Sequence, residues 1–332
     1  MSALKPLSVG EIIDRSASFW RAHWLPLFQL FLGFQLVQYV LLKAVEVMLT
    51  DRLPAVTNFN KLLELAKQDP AVWMPPLVPV FVLFAVVSLV NLLLGQMSGV
   101  ALTGFVFPRL TGADAPSVSE SLRLTLQKLA PGFGLFALTL GWTLVVGVVF
   151  LLPGAAAFGG GLWITTQGRS AGGAVLTLLG LLLVFGGLLL LLLWFLIRFI
   201  LASQVLAIEP VGALGAFRRT GALSSGRVGP GLGGLVKSRL TLLLSIIFVI
   251  LLVIGFLTGI PELIVKGVYG GLDPAAQDSA PQALVVPAQL LQVIIGALVT
   301  PLYVVFQVVF YVDMRVRREG LDLELASKGA ST

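Results

Sequence analysis

The sequence predicts an all-α polytopic membrane protein with six transmembrane helices and three cytoplasmic interfacial amphipathic helices. Hydrophobic residues make up 57% of the 332 residues and charged residues only 11%, whereas a soluble domain carries roughly 25% charge. Apolar stretches of about 20 residues, the length that crosses a bilayer, recur along the chain. We therefore expect a single membrane domain over residues 1–332, with residues 313–332 as a cytoplasmic tail.

The chain begins with an amphipathic helix whose start is marked by a capping box. Ser8 and Glu11 have the Ser-x-x-Glu spacing, in which each side chain binds a backbone N–H of the other residue. Leu7 and Ile12 are placed as a hydrophobic staple across this cap. Apolar residues then recur at helical spacing to Trp24, and basic residues lie beside aromatic ones. This pattern predicts a helix over 7–22 at the membrane–water boundary.

The first span is expected at about 25–48, and the second starts after Pro79 and ends near residue 107. Gln35 and Gln38 lie inside the first span, which favours packing against neighbouring helices. Lys43 and Glu46 mark its far end. The polar connection between the two spans can hold a short helix over 58–67.

A second capping box, Ser117 and Glu120, starts the next amphipathic helix. Its apolar face consists of Val118, Leu122, Leu126 and Leu129. The third span is expected at about 133–152. Pro153-Gly154 is expected to end or kink that span, since proline lacks an N–H and glycine permits unusual dihedrals. A glycine-rich far-side passage over 155–173 then leads to the fourth span at about 174–197.

The third amphipathic segment lies within 209–239, and its apolar face (Val211, Leu214, Phe217, Gly221) is weaker. The fifth span is expected at about 240–263 and the sixth at about 288–312. The chain then reads as three parallel repeats of amphipathic helix, span, far-side loop and span, over about 7–107, 116–208 and 209–312.

The distribution of basic residues predicts the orientation. Fifteen lysines and arginines fall on the side of the predicted termini and six on the other. By the positive-inside rule the richer side is cytoplasmic. We expect a multi-pass protein of the bacterial cytoplasmic (inner) membrane with both termini in the cytoplasm. This asymmetry accounts for the net charge of +6, and no nucleic-acid partner is expected.

A basic cluster on the cytoplasmic side is the first candidate site. It can hold lipid headgroups or other anions, at about 1 kcal/mol per residue near the membrane surface, or it can serve only as a topological anchor. The cluster consists of Arg218, Arg219, Arg227, Lys237 and Arg239.

Polar residues inside the spans are the second candidate site. Arg198, Asn91, Gln96, Gln204, Gln292 and Gln307 can line a polar path through the membrane. The simpler interpretation is that Arg198 snorkels to the headgroups and that the amides make interhelical hydrogen bonds. The segment 229–234 superficially resembles a phosphate loop, but it has no Lys-Ser/Thr and follows no strand.

Four segments carry a family resemblance: LSVGEIIDRSASFWRAHW near the N-terminus, Pro153-Gly154, AFRRTGALSSGR after Glu209, and YVDMRVRREGLDLE at Tyr311–Glu324. In these the chain resembles a bacterial family of six-span proteins, similar to the membrane domain beside some glycerophosphodiester phosphodiesterases. The resemblance implies a membrane fold. It implies no hydrolase activity, because the sequence has no carboxylate-and-histidine set to hold that enzyme's metal.

The functional prediction is a non-enzymatic membrane scaffold or accessory subunit that engages membrane lipids. A protein partner can dock on the charged tail. The alternative is a transporter or lipid-handling permease, which requires a hydrated cavity between the spans. An intramembrane enzyme is the least supported class, since the predicted spans contain neither a nucleophile–base pair nor a set of carboxylates that could converge on a substrate. No cofactor and no metal are expected, and the absence of cysteine excludes thiolate chemistry.

Overall fold

The computed structural model describes residues 5–52, 70–168, 170–231, 234–270 and 280–330, and it confirms the all-α membrane class. That part of the chain contains no strand. Six segments in it are long and apolar enough to cross a membrane. The predicted helix over 58–67 lies outside the described residues. The helices are α1 (Val9–Ala22), α2 (Trp24–Arg52), α3 (Pro70–Thr111), α4 (Val118–Gln127), α5 (Leu129–Thr166), α6 (Ser170–Phe199), α7 (Ala202–Ile208), α8 (Ala213–Leu223), α9 (Val236–Gly270), α10 (Gln282–Glu319) and α11 (Leu321–Ala330).

Two amphipathic helices lead almost directly into spans. Only His23 separates α1 from α2, and only Lys128 separates α4 from α5. Pro26 and Pro131 fall in the first turns of α2 and α5. A first-turn N–H has no partner within its own helix, so proline there removes no helical hydrogen bond. The two prolines therefore mark where the spans begin.

Pro153-Gly154 was predicted to end or kink the third span, and the predicted end was wrong. Helix α5 continues through Pro153 to Thr166, and most of the predicted far-side passage is therefore helical. The continuation is stabilised by close packing: a Cβ added at Gly154 would lie 2.6 Å from the backbone nitrogen of Val184 in α6. Contacts with the neighbouring helix offset the hydrogen bond that an interior proline removes.

The described residues form two compact units, and helices α9 and α10 contribute residues to both. Unit 1 comprises 1–127 and 243–313, and unit 2 comprises 128–242 and 314–332. These boundaries do not coincide with those of the three predicted repeats, which remain a prediction.

The core of unit 1 is formed by the last third of α3 and by α10. The run from Met97 to Val106 is buried, and so is the run from Val304 to Asp313. Helix α4 closes on α3 where Leu124 lies against Gly104. Asp313, the first residue of the predicted cytoplasmic tail, is buried and accepts a hydrogen bond from the backbone N–H of Leu7 at 2.7 Å. The start of the first amphipathic helix is thereby fixed to the end of the last span.

Unit 2 is built on a glycine seam between α5 and α6. The glycines are seven residues apart on each helix, and a Cβ at most of these positions would collide with the other helix. Seven residues are close to two helical turns, so each set lies along one face. The seam consists of Gly147, Gly154 and Gly161 on α5 and Gly173, Gly180 and Gly187 on α6. Small residues let the two backbones approach closely, as in membrane helix pairs generally.

Outside the seam, α6 presents leucine and valine outward. Leu182 is 70% exposed and Val175 68%. A soluble protein of this size would not leave so many large apolar side chains uncovered. These faces are suited to contact with lipid chains.

The three amphipathic helices share one buried hydroxyl position. Ser16, Thr125 and Thr220 each lie eight residues after the residue preceding their helix start, namely Ser8, Ser117 and Gly212. All three are buried, and each donates its hydroxyl to the carbonyl four residues earlier, at 2.7–2.9 Å. The leucine face of α4 is exposed instead, with Leu126 at 66%. The small hydroxyl face therefore packs against protein and the leucine face is left for the membrane boundary.

Both predicted capping boxes are present. The Ser8 side chain accepts from the Glu11 N–H at 3.2 Å, and Glu11 accepts from the Ser8 N–H at 2.7 Å. Ser117 and Glu120 pair in the same way. The Ser8 N–H and then the Lys5 side chain lower the pKa of Glu11 to about 2. Since this carboxylate has a depressed pKa, its contribution is complete above its unfolded pKa and is lost as the pH falls toward 2.

We expect Ser8→Ala to weaken the start of α1 by about 1 kcal/mol, because it removes the acceptor for an unpaired first-turn N–H. Ser18→Ala is the matched control, since Ser18 is exposed in the same helix. Hydrogen exchange of the α1 amides would measure the effect. Equal protection in the two variants would contradict a stabilising role for the cap.

Candidate functional site

Unit 1 contains a polar cleft between α2, α9 and α10. Its volume is about 490 Å³, within the size range of small-molecule sites. It lies within the membrane-spanning segments, toward the C-terminal ends of α2 and α9 and the N-terminal end of α10. The polar lining residues are Gln35, Tyr39, Lys43, Glu46, Thr258, Glu262, Gln289, Gln292 and Thr300.

Hydrogen bonds connect the three helices across this cleft. Glu262 of α9 accepts from Gln289 of α10 at 3.1 Å and pairs with Lys266 at 2.7 Å. Gln289 in turn accepts from the Tyr39 hydroxyl of α2 at 3.4 Å. Each helix therefore contributes a polar group to one connected network. Such a network is costly in a membrane unless its members are satisfied or contact water or ligand.

A second ion pair lies on α2, which forms one wall of the cleft. Lys43 binds Glu46 at 2.8 Å and Gln282 at 3.1 Å. The cleft and its edge thus hold two ammonium groups and two carboxylates at close range, with no large net charge. This balance suits a ligand that carries both signs.

The remaining lining is apolar. Leu42, Leu251, Ile254, Val293 and Val299 share the cleft with the polar groups. Gly255 and Gly296 provide space without side chains, and the only atom within 4 Å of a Cβ built on Gly296 is the Gln35 amide nitrogen at 3.8 Å. The cleft can therefore accept an amphiphile, with a polar part near Glu262 and an apolar part along the leucine and valine side chains.

Of the polar residues predicted to line a path, Gln292 lines this cleft, whereas Arg198, Asn91, Gln96, Gln204 and Gln307 do not. The Asn91 side chain donates to the Val87 carbonyl at 3.0 Å, and the Asn91 backbone carbonyl accepts from Gln38 at 3.0 Å. The side-chain oxygen of Asn91 is buried and has no hydrogen-bond partner among the described residues. Gln307 is buried and hydrogen-bonds Tyr303. Gln96 is half-buried and also has a partner. The polar path through these three amides remains a prediction, as does the interpretation that they only make interhelical hydrogen bonds.

A periodic signal in the sequence could have identified the cleft. On α2 the polar residues Gln35, Tyr39 and Lys43 recur every four residues, and on α9 Thr258 and Glu262 do the same. This spacing places the polar groups of each helix along one face. Gln35, Lys43, Glu46 and Gln292 are each recognisable in the sequence as separate polar residues of the spans, whereas Glu262 was not predicted.

The structure separates the members of the predicted basic cluster. Arg218, Arg227 and Lys237 are exposed, whereas Arg239 is buried. Arg219 is half-buried and pairs with Glu209 at 3.0 Å. Two of the five cations are therefore withdrawn from the surface that would meet lipid headgroups.

The tail packs against α8 within unit 2. Arg219 also binds Glu319, which accepts from Arg315 at 3.0 Å. Arg318 donates to the carbonyls of Ala222 and Ser225 at the end of α8, the first at 2.7 Å. Burial alone would lower the pKa of Arg219, but the hydrogen bonds to Glu209 and Glu319 outweigh it and raise that pKa. Several of the alternating charges of the tail therefore form ion pairs and hydrogen bonds within this chain.

In the described parts of the chain, no three His, Asp or Glu side chains converge in a way that could hold a metal ion. The resemblance to the membrane domain of glycerophosphodiester phosphodiesterases remains a prediction. No protein-family model, no curated protein and no solved structure matches this chain.

Proposed function

We propose that this protein is a non-enzymatic accessory protein of the bacterial inner membrane that binds a zwitterionic phospholipid in the cleft of unit 1. The observation that carries the proposal is the cleft itself, where lysine and glutamate side chains meet leucine and valine within membrane-spanning helices. A phospholipid is the ligand of matching chemistry, because it joins a charged headgroup to apolar chains.

The headgroup arrangement follows from the charges. A phosphate takes the position near Lys43 or Lys266, and an ammonium takes the position near Glu46 or Glu262. In the predicted orientation, with both termini in the cytoplasm, the polar end of the cleft lies in the periplasmic half of the membrane. A lipid from the outer leaflet of that membrane would reach it laterally.

The alternative, a lipid-handling permease, uses the same cleft and requires in addition that the bound lipid crosses the bilayer. A scaffold that recruits a partner through the tail has less support, because Arg219, Arg315 and Arg318 already bind within the chain. A partner would have to displace these contacts.

We expect the double variant Lys43→Gln with Glu262→Gln to weaken binding of phosphatidylethanolamine about tenfold, since each lost charge-assisted hydrogen bond is worth about 1.5–3 kcal/mol before solvent screening. Native mass spectrometry of the delipidated protein, titrated with this lipid, would measure the change. Arg123→Gln with Asp322→Asn is the matched control, because it removes one positive and one negative charge outside the cleft.

Equal affinity of the cleft variant and the control would contradict the proposal. A fluorescent-lipid assay in reconstituted vesicles distinguishes the alternative. Transbilayer movement that depends on Glu262 would indicate a permease, and binding without movement would indicate an accessory protein.

A further inference from the structure

Arg198, in the last turn of α6, is held in a fixed position in unit 2. Its guanidinium lies over Gly221 of α8, in the space that a Cβ of that residue would fill. The guanidinium carbon is 5.6 Å from the Phe199 ring centre and 5.7 Å from that of Phe217. The Ser224 hydroxyl donates to the Arg198 carbonyl at 3.4 Å. Only glycine at position 221 permits this arrangement.

The charge of Arg198 has no acidic partner among the described residues of unit 2. Its Nη1 is buried and makes no hydrogen bond to any of them. Glu209 and Glu319 pair with Arg219, and Glu319 and Glu324 pair with Arg315. Burying a cation without a counter-ion is costly. An anion bound to the remaining N–H groups of the guanidinium would balance this charge.

The surroundings of Arg198 define which anion fits. Trp194 and Phe199 have ring centres 5.8 Å apart, and Trp142 contacts Phe217 edge-on at 6.5 Å. An aromatic, apolar surface therefore adjoins the guanidinium at the end of a membrane-spanning segment. Guanidinium binds phosphate oxygens with two parallel N–H bonds. Aromatic rings at this depth suit the boundary between headgroups and chains.

We infer that Arg198, seated over Gly221 and framed by Phe199 and Phe217, binds the phosphate group of an anionic phospholipid. The residue as a whole keeps an intermediate exposure, so the headgroup can approach it from the membrane. In the predicted orientation this lipid belongs to the cytoplasmic leaflet. The site differs from the zwitterionic cleft in its residues and in the charge of its ligand.

The test titrates the delipidated full-length protein with phosphatidylglycerol or phosphatidylcholine and follows lipid adducts by native mass spectrometry. We expect Arg198→Gln to weaken phosphatidylglycerol binding about tenfold, the value of one lost charge-assisted hydrogen bond. Gly221→Val should do the same by filling the guanidinium's space without changing any charge. Arg123→Gln, at an exposed arginine of α4 that belongs to neither candidate site, should leave binding unchanged.

A further variant separates loss of binding from loss of folding. Arg198→Lys retains the charge and loses the planar fork, so a folded Arg198→Lys protein with several-fold weaker binding supports the inference even where Arg198→Gln fails to fold. The inference is overturned if Arg198→Gln binds phosphatidylglycerol with unchanged affinity. It is also overturned if Arg198 is required for binding inorganic phosphate but not for binding phosphatidylglycerol. The Lys43 and Glu262 variants leave this site intact, so failure here is distinguishable from failure of the cleft proposal.

Discussion

Gly180→Ala is expected to destabilise unit 2 by about 2 kcal/mol, although alanine is the better helix former. The added Cβ would lie 2.5 Å from the Phe158 Cα, so the backbones of α5 and α6 would have to separate. Overpacking of this kind costs about 1–3 kcal/mol. Separation would also weaken the contacts of Gly173 and Gly187 along the same seam.

Gly186→Ala is the matched control, because no atom of the described residues beyond its own stretch of helix lies within 4 Å of a Cβ at that position. It should be neutral or stabilising by up to about 1 kcal/mol, the helix-propensity difference between glycine and alanine. Unfolding of the purified protein by titration with a denaturing detergent, followed by tryptophan fluorescence, compares the two. Equal stability of Gly180→Ala and Gly186→Ala would contradict the seam.

The seam shows how far the sequence predicts the fold. Composition, capping boxes and apolar runs predict six spans and three amphipathic helices, because each is a local property. Which glycines pack against a neighbouring helix depends instead on the arrangement of the helices, which is not a local property. Pro153 by itself predicts an end or a kink, yet helix α5 continues through it where Gly154 packs against α6.

The candidate sites also depend on contacts between segments that are distant in the sequence. Gln35 and Lys43 are visible as polar residues in an apolar run, but their partners in α9 and α10 are more than 200 residues away in the chain. Arg198 was recognised as exceptional from its position alone. That it has no acidic partner and rests on Gly221 depends on the packing of α6 against α8, which no spacing in the sequence reveals.

Glu319→Gln is expected to release the tail from α8. Glu319 joins Arg219 and Arg315, and the side chains involved are between 18% and 32% exposed. After discounting for solvent, each contact contributes about 1 kcal/mol. Loss of both would raise the detached population more than tenfold. Cleavage by trypsin after Arg315, Arg317 or Arg318 should accelerate accordingly, since proteolysis follows the open population when reclosing is fast.

Asp322→Asn is the matched control for the tail, because it removes one carboxylate of the same segment without breaking any of the ion pairs of Arg219 or Arg315. Its cleavage rate should equal that of the unmodified protein. If Glu319→Gln is cleaved no faster than Asp322→Asn, the Arg318 bonds to Ala222 and Ser225 hold the tail alone. If it is cleaved faster while phosphatidylglycerol binding is unchanged, the tail is separable from the Arg198 site. A partner could then displace the tail from α8 without releasing the lipid.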